Sequence, residues 1–395
     1  MNSRYFITSL LCGCSFLLNG QTPLSVADFL EKSVREMMPF STNREITSRF
    51  SPNWVEGVDI RTETDDFDIE RQRFQLRVKP NTPKIRQAQS ALHDLYTEQA
   101  AIEMQLLQRD FIELAYEQLI DSYQSIQEIA LKEQLLSVVS DKEKVLFRLA
   151  QLSSELPKDW LAAKRERTNL EVAIEQEYQQ AAQLMIPPIN WKTLLPISQV
   201  QAVINADSTR SFFQTQAIFD VESALIDGEA QLEQAEQKRY LDFLQLEYNG
   251  SNNAILAEKL SVGLAFQLPF SSNRALKMEE LAIEKALLER EKAAKMELNT
   301  LKLMRVRKKI NRLVSNLNVA KDKHEEQARV LTQLVQKNSQ RDDANPLFAL
   351  YEKEQDLQHQ LDFLKMEVEI YQEYLDYLKL TEQLYQMPYR HFSAY

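Results

Sequence analysis

The sequence predicts a mainly α-helical chain with a small β portion, in which long antiparallel coiled-coil helices accompany four strands per protomer. Three observations lead there. Residues 260–270 read L-S-V-G-L-A-F-Q-L-P-F, with Leu260, Val262, Leu264, Phe266 and Leu268 on one side and Ser261, Gly263, Ala265 and Gln267 on the other. That alternation has the period of a β-strand with one greasy face and one wet face. After Pro269 comes a run of 76 residues without glycine or proline, ending at Pro346. If most of it is helix it extends roughly 100 Å, at about 1.5 Å per residue. A second run, residues 84–156, holds 73 residues without either helix breaker. Helices of soluble domains average about 11–12 residues. Two-faced strands feeding runs this long point to a barrel in a membrane with a helical shaft beneath it.

Taken in chain order, the first element is an export signal over residues 1–20. Arg4 precedes an apolar run over residues 5–18, and Asn19-Gly20-Gln21 offers a cleavage point. Leu11-Cys12-Gly13-Cys14 also resembles a lipobox, with Cys14 as the lipidated residue. Only nine residues separate Arg4 from Cys14, and the apolar run continues past it, so cleavage near Gly20 is favoured. Either route takes the chain out of the cytoplasm. Cleavage at Gly20 leaves no cysteine, and it moves the net charge from −11 to −12 by removing Arg4.

The remainder divides into two structural repeats, residues 21–206 and 207–395. Pro83 and Pro269 are 186 residues apart, and Pro157 and Pro346 are 189 apart. In the first repeat, strands at about 55–64 and 71–79 precede a helix hairpin over 84–186. In the second, strands at about 241–248 and 260–268 precede a hairpin over 273–386. A spacing shared by strands, breakers and helices is the mark of a duplication.

The first strand pair alternates as well. Val58, Ile60, Thr62 and Thr64 oppose Asp59, Arg61 and Glu63; Phe74, Leu76 and Val78 oppose Arg73, Gln75, Arg77 and Lys79. A charged face suits a water-filled lumen and an apolar face suits lipid. A small soluble sheet packed on a helix would alternate in the same way. Between the strands, Glu63-Thr-Asp-Asp-Phe-Asp68 reads as a solvated acidic hairpin tip and Asn249-Gly-Ser-Asn-Asn253 as turn chemistry.

The long runs carry apolar residues at three- and four-residue steps. Val306, Ile310, Leu313, Val314 and Leu317 form one stripe, continued by Val330, Leu331, Leu334 and Val335; Leu92, Leu95, Phe111, Leu114, Ala115 and Tyr123 form another. One buried seam and a wet remainder is coiled-coil chemistry.

Composition and motifs argue against catalysis. Asp and Glu number 58 against 47 Lys and Arg, which disfavours nucleic acid as a partner. Mean hydropathy is −0.42, and no internal stretch approaches the roughly 20 apolar residues of a spanning helix. His93, His324, His359 and His391 are far apart in sequence, and His324-Glu325-Glu326 lacks the second histidine of H-E-x-x-H. No glycine-rich phosphate loop or G-x-S-x-G is present, and Met296 and Met304 read as packing residues. The expectation is a protein that is not an enzyme, with no catalytic residues, cofactor or metal.

The segment Lys259-Leu-Ser-Val-Gly-Leu-Ala-Phe-Gln-Leu-Pro-Phe270 resembles the last barrel strand of the TolC-like outer-membrane efflux channels, a V-G-L-x-h-x-L-P run before a long helix. Gln234-Ala-Glu-Gln-Lys-Arg-Tyr-Leu-Asp-Phe243 is similar to that family's entry into the preceding strand, and Pro23-Leu-Ser-Val-Ala-Asp-Phe-Leu-Glu31 to its mature N-terminus. The resemblance covers nearly the whole mature chain. It implies a homotrimer whose three sets of four strands close a 12-stranded outer-membrane β-barrel over a periplasmic α-helical tunnel. Four strands from one chain leave open edges that a membrane does not tolerate, so trimerisation also follows physically.

On this reading Phe74, Leu76, Val78, Leu260, Val262, Leu264, Phe266 and Leu268 face outer-membrane lipid. The implied function is the exit channel of a tripartite export system in a Gram-negative bacterium. It is a passive duct opened at its periplasmic helix tips by a periplasmic adaptor and an inner-membrane pump. The alternative is a secreted or periplasmic coiled-coil scaffold without a pore. The first tip, Leu152-Ser-Ser-Glu-Leu-Pro157, supplies Ser153, Ser154 and Glu155 as candidate adaptor contacts. The second, Asn338-Ser-Gln-Arg-Asp-Asp-Ala-Asn-Pro346, supplies Ser339, Gln340 and Arg341, with Asp342 and Asp343 as the candidate gate. Neither tip has the glycine that many relatives carry. The stretch before the first strand, residues 25–50, is short beside its counterpart at 207–239.

Overall fold

The computed structural model describes residues 23–37, 50–64, 72–151, 157–184, 187–206, 213–239, 241–250, 259–266, 272–339, 346–385, 389 and 391–394. In chain order the elements are α1 (Val26–Met37), β1 (Val55–Thr64), β2 (Gln72–Pro80), α2 (Pro83–Ala150), α3 (Pro157–Leu184), α4 (Ile197–Ala206) and α5 (Phe213–Gln237). After these come β3 (Leu241–Asn249), β4 (Leu260–Phe266), α6 (Ser272–Ser339) and α7 (Leu347–Leu380). The two breaker-free runs both become helices of 68 residues. The four strands form one antiparallel sheet in the order β1-β2-β3-β4.

Helix starts follow local chemistry. Thr82 Oγ1 accepts a hydrogen bond from the Ile85 amide at 3.3 Å, and Pro83 opens α2 with its φ preset for helix. Ser25 caps α1 in the same way, accepting from the Asp28 amide at 3.1 Å. Pro157 is the first residue of α3.

The chain forms two compact units. The first combines Met1–Phe40, Gln108–Ser211 and Asn299–Tyr395 and holds the main hydrophobic core. There Val26, Phe29, Leu30 and Val34 of α1 pack with Ile112, Ala115, Tyr116, Leu119 and Ile120 of α2. Ile310, Leu313, Val314 and Leu317 of α6 and a run of α7 residues from Leu364 to Leu378 complete the cluster. Each fully buried Leu, Ile or Phe contributes about 1.5–3 kcal/mol. The chain end is part of this core: the Phe392 ring lies 5.2 Å from Tyr374 and 5.3 Å from Tyr116. Tyr371 donates its hydroxyl proton to the Leu195 carbonyl at 2.7 Å. Two smaller clusters, around Leu135, Val139 and Leu357 and around Leu146, Ala163 and Leu347, continue along the hairpins.

The second unit, Ser41–Leu107 with Phe212–Leu298, contains the sheet, α5 and the first parts of α2 and α6. Gly228 lets α5 lie close to α2, since a Cβ there would come within 3.1 Å of Leu92 and 3.3 Å of Leu95. Lys285 and Lys292 of α6 bond Asp227 and Asp220 of α5 at 2.7 and 2.6 Å.

The apolar stripes need correction in two places. Within residues 111–120 of α2 the buried residues are Ile112, Ala115, Tyr116, Leu119 and Ile120, whereas Phe111 and Leu114, expected in the seam, are exposed. On α6 the seam holds from Val306 to Leu317, but Val330 and Leu334 are exposed. Met304, expected as packing, is exposed too. Before β1 the described helix is 12 residues long, against 25 for α5 before β3, in keeping with the short first segment.

Candidate functional site: a sheet with one apolar and one polar face

Registry turns four alternating strands into two distinct surfaces. Directly paired residues lie on the same face of an antiparallel sheet. One row across the strands is Val58, Val78, Leu244 and Leu264; the next is Ile60, Leu76, Leu246 and Val262; a third is Thr62, Phe74, Tyr248 and Leu260. Intervening rows are Asp59, Arg77, Gln245 and Gly263, then Arg61, Gln75, Glu247 and Ser261. One face is therefore apolar across all four strands, Thr62 apart, and these rows of the other are charged, polar or small.

Among the described residues nothing covers the apolar face. Val262 is 76 % exposed, Ile60 72 %, Phe266 66 % and Leu264 56 %. Phe74 and Leu260 are also exposed, while Leu76 and Val78 in the interior strand β2 are partly covered. Phe74 and Tyr248 rings meet at 6.4 Å across the strand pair. A wide apolar surface left open on a sheet marks a contact with lipid or another protein. The soluble-sheet alternative expects this face to be packed on a helix, and among the described residues it is exposed instead.

The polar face is organised by its own contacts. Arg77 donates from Nε to Gln245 Oε1 at 3.0 Å, and its guanidinium lies 4.8 Å from the centroid of the Phe243 ring. Gln245 in turn donates to Glu247 at 3.3 Å. At the base of β3, Arg239 pairs with Glu56 and donates to the Asp242 carbonyl at 2.9 Å, which joins β3 to the start of β1. The strands β1 and β4 end the sheet, each with one unpaired edge.

Several candidate residues lie outside the described set: Ser153, Ser154, Glu155, Gln340, Arg341, Asp342, Asp343 and Leu268, with Ser339 described only in its backbone. So do the signal segment, Cys14, and most of both strand-connecting tips. Just inside the hairpin tips the helices are joined by buried charge. Lys142 of α2 donates to Glu354 of α7 at 2.7 Å and lies 3.5 Å from Glu166 of α3. Burial and the Glu354 carboxylate together push the Glu166 carboxyl above its ordinary value. Burial alone would lower the Lys142 ammonium, but its bond and attraction to Glu354 outweigh that and raise it.

Histidines distant in sequence do meet. His324 and His359 have ring centroids 4.8 Å apart, and His324 lies 2.9 Å from Asp356. The antiparallel pairing of α6 with α7 brings them together, which sequence spacing alone does not reveal. No group of three or more potential ligands suited to a metal ion occurs among the described residues. No described helix is long and apolar enough to cross a membrane.

No protein-family model matches the chain, and no curated protein sequence does. Solved structures do match. A membrane protein from Pseudomonas aeruginosa aligns over 89% of this chain and 86% of its own, with TM-score 0.59 and 10% identity. The open state of the MtrE outer membrane channel of Neisseria gonorrhoeae aligns over 89% and 85%, with TM-score 0.55 and 8% identity. The outer-membrane channel OprN aligns over 90% and 86%, with TM-score 0.53 and 13% identity. The mainly α fold with a four-stranded antiparallel sheet is thus the fold of outer-membrane channels, as the sequence resemblance implies.

Proposed function

We propose that this chain is one protomer of a trimeric outer-membrane exit channel, a passive gated duct serving a periplasmic adaptor and an inner-membrane pump. The observation that carries the reading is the sheet: three registered apolar rows, open to the surroundings, on a sheet whose two edges are unpaired. Lipid satisfies the apolar rows. Edge hydrogen-bonding groups cannot be left bare in hydrocarbon, so three copies joined β4 to β1 close twelve strands and leave no edge. The polar rows then line a watery lumen. The fold shared with outer-membrane channels supports the same assembly and the localisation in the outer membrane of a Gram-negative cell.

Under this reading the two halves of the chain are duplicated units, each giving two strands and a 68-residue tunnel helix. The protein performs no chemistry. It opens where its helix hairpins end, with Ser153, Ser154, Glu155, Ser339, Gln340 and Arg341 meeting the adaptor and with Asp342 and Asp343 at the gate. Asp342→Ser with Asp343→Ser should raise the conductance of reconstituted channels; unchanged currents remove both residues from the gate.

Cell fractionation tests the whole reading. The chain should sediment with outer membrane and run as a trimer in mild detergent. A monomer or dimer in the soluble periplasmic or secreted fraction would leave the coiled-coil scaffold as the better account.

A further inference from the structure

The polar face of the sheet carries its charges in opposed pairs. Three successive polar rows cross it. Asp59 and Arg77 share a row with Gln245 and Gly263; Arg61 and Glu247 share the next with Gln75 and Ser261; Glu63 and Arg73 lie in the third with Asn249. Each row therefore holds one acid and one base, and the signs alternate along β1 from Asp59 through Arg61 to Glu63. Strand β4 adds no charge to any of them. The chain as a whole has no such evenness, with 58 Asp and Glu against 47 Lys and Arg.

Evenness at this spacing governs what a solute crossing the lumen meets. Directly opposite residues on neighbouring strands have Cβ atoms about 4.5–5.5 Å apart, inside the Debye length of about 8 Å at physiological ionic strength. Twelve strands about 4.8 Å apart and tilted by about 40° enclose a radius of roughly 12 Å at the backbone. Side chains that project inward bring their charges to within about a Debye length of the axis. An acid and a base side by side act there as a dipole, whose field dies away faster than that of a single charge. Removing one member leaves three like charges in a ring, the arrangement by which a pore prefers one sign of ion.

The row of Asp59 and Arg77 has the best-defined pair. Arg77 is held by its bond to Gln245 at 3.0 Å and lies 4.8 Å from the centre of the Phe243 ring, and Asp59 stands directly opposite it, exposed. Gly263 leaves the row without a side chain on β4. By contrast, the Glu63 row borders the connection from β1 to β2, and the next row sets Arg61 and Glu247 two strands apart with Gln75 between them.

We propose that Asp59 and Arg77 are paired determinants of charge selectivity in the lumen. Together they cancel, so that solutes of either sign pass the barrel alike; either one alone imposes a preference. The inference rests on the exit-channel reading above and deepens it by stating which cargo the barrel admits.

A cysteine on the same face reads the local potential without requiring the helix tips to open. Gln75→Cys lies two residues from Arg77 on the polar face of β2. In outer membranes it is treated with a cationic and an anionic methanethiosulfonate reagent of similar size, the parent chain serving as blank, and the two rates are compared as a ratio. Arg77→Gln in that background should raise the cationic-to-anionic ratio severalfold, Asp59→Asn should lower it severalfold, and the two together should return it to the starting value. Both shifts should shrink in 1 M salt, where the Debye length falls to about 3 Å. Ratios moved by neither change, or moved the same way by both, overturn the pairing. Zero-current potentials of reconstituted trimers in a salt gradient should show the same opposite shifts and the same cancellation, and their absence overturns it too. If Gln75→Cys reacts with neither reagent, the polar face does not line water and the exit-channel reading fails first. If it reacts with both at a ratio indifferent to Asp59 and Arg77, only the selectivity assignment fails.

Discussion

Leu264→Arg separates a membrane sheet from a soluble one with one side chain. Leu264 lies at the end of the row Val58, Val78, Leu244, Leu264, and 56 % of it is exposed in the single chain. In water such a position tolerates arginine at within about 0.5 kcal/mol, because more than half of it is already exposed. In a bilayer the same change costs roughly 2–4 kcal/mol near the midplane. Three copies in a closed barrel make that roughly 6–12 kcal/mol per trimer, enough to reduce insertion by orders of magnitude. Ser261→Arg is the matched control. It sits three positions away on the polar face and pairs across the ladder with Glu247, so an added cation meets a carboxylate. Both variants are expressed with the signal intact, and the outer-membrane and soluble fractions are compared by immunoblot. Leu264→Arg should be depleted from the membrane and Ser261→Arg should not. Equal insertion of the two would refute the assignment of lipid and lumen faces.

Two further outcomes concern the helical unit. Lys142→Met should destabilise it by about 3–5 kcal/mol in chemical denaturation, because Glu354 and Glu166 are left as neighbouring carboxylates without their cation; a midpoint unchanged from wild type would show the triad to be dispensable. Alkaline stability follows from the tyrosines Tyr116, Tyr123, Tyr371 and Tyr385, whose hydroxyls burial raises well above the ordinary value of 10.0. Their stabilising contribution is fully present below pH 10.0, where the unfolded tyrosine would ionise, and is lost as pH rises towards the higher folded values. Each contributes a slope of about 1.4 kcal/mol per pH unit. Absorbance titration of the tyrosines should therefore leave a set that ionises only as the helical signal collapses, whereas all titrating near pH 10 in folded protein would contradict the packing.

Much of the sheet was legible in the sequence, because a period of two leaves no freedom. Once Val262 faces one way, Ser261 and Gly263 face the other, and pairing extends that choice to Leu246, Leu76 and Ile60. Helix extent was legible for a similarly local reason: without glycine or proline nothing stops α2 or α6. The buried side of those helices was not. Phe111 and Leu114 are as apolar as Ile112 and Leu119, and only the positions of α1 and α7 decide which pair enters the core of the helical unit. The approach of His324 to His359 and the insertion of Phe392 beside Tyr116 and Tyr374 are likewise products of chain-distant packing. The helix tips, where the gate is expected, lie outside the described residues.

The account stands on where the two faces of the sheet point, and a nitroxide scan of β4 in reconstituted vesicles reads that directly. Labels at Leu260, Val262, Leu264 and Phe266 should be relaxed by oxygen dissolved in lipid, and labels at Ser261, Gly263 and Ala265 by a water-soluble nickel chelate. Seven positions all relaxed by the aqueous reagent, with no period of two, would mean that this sheet never enters a membrane.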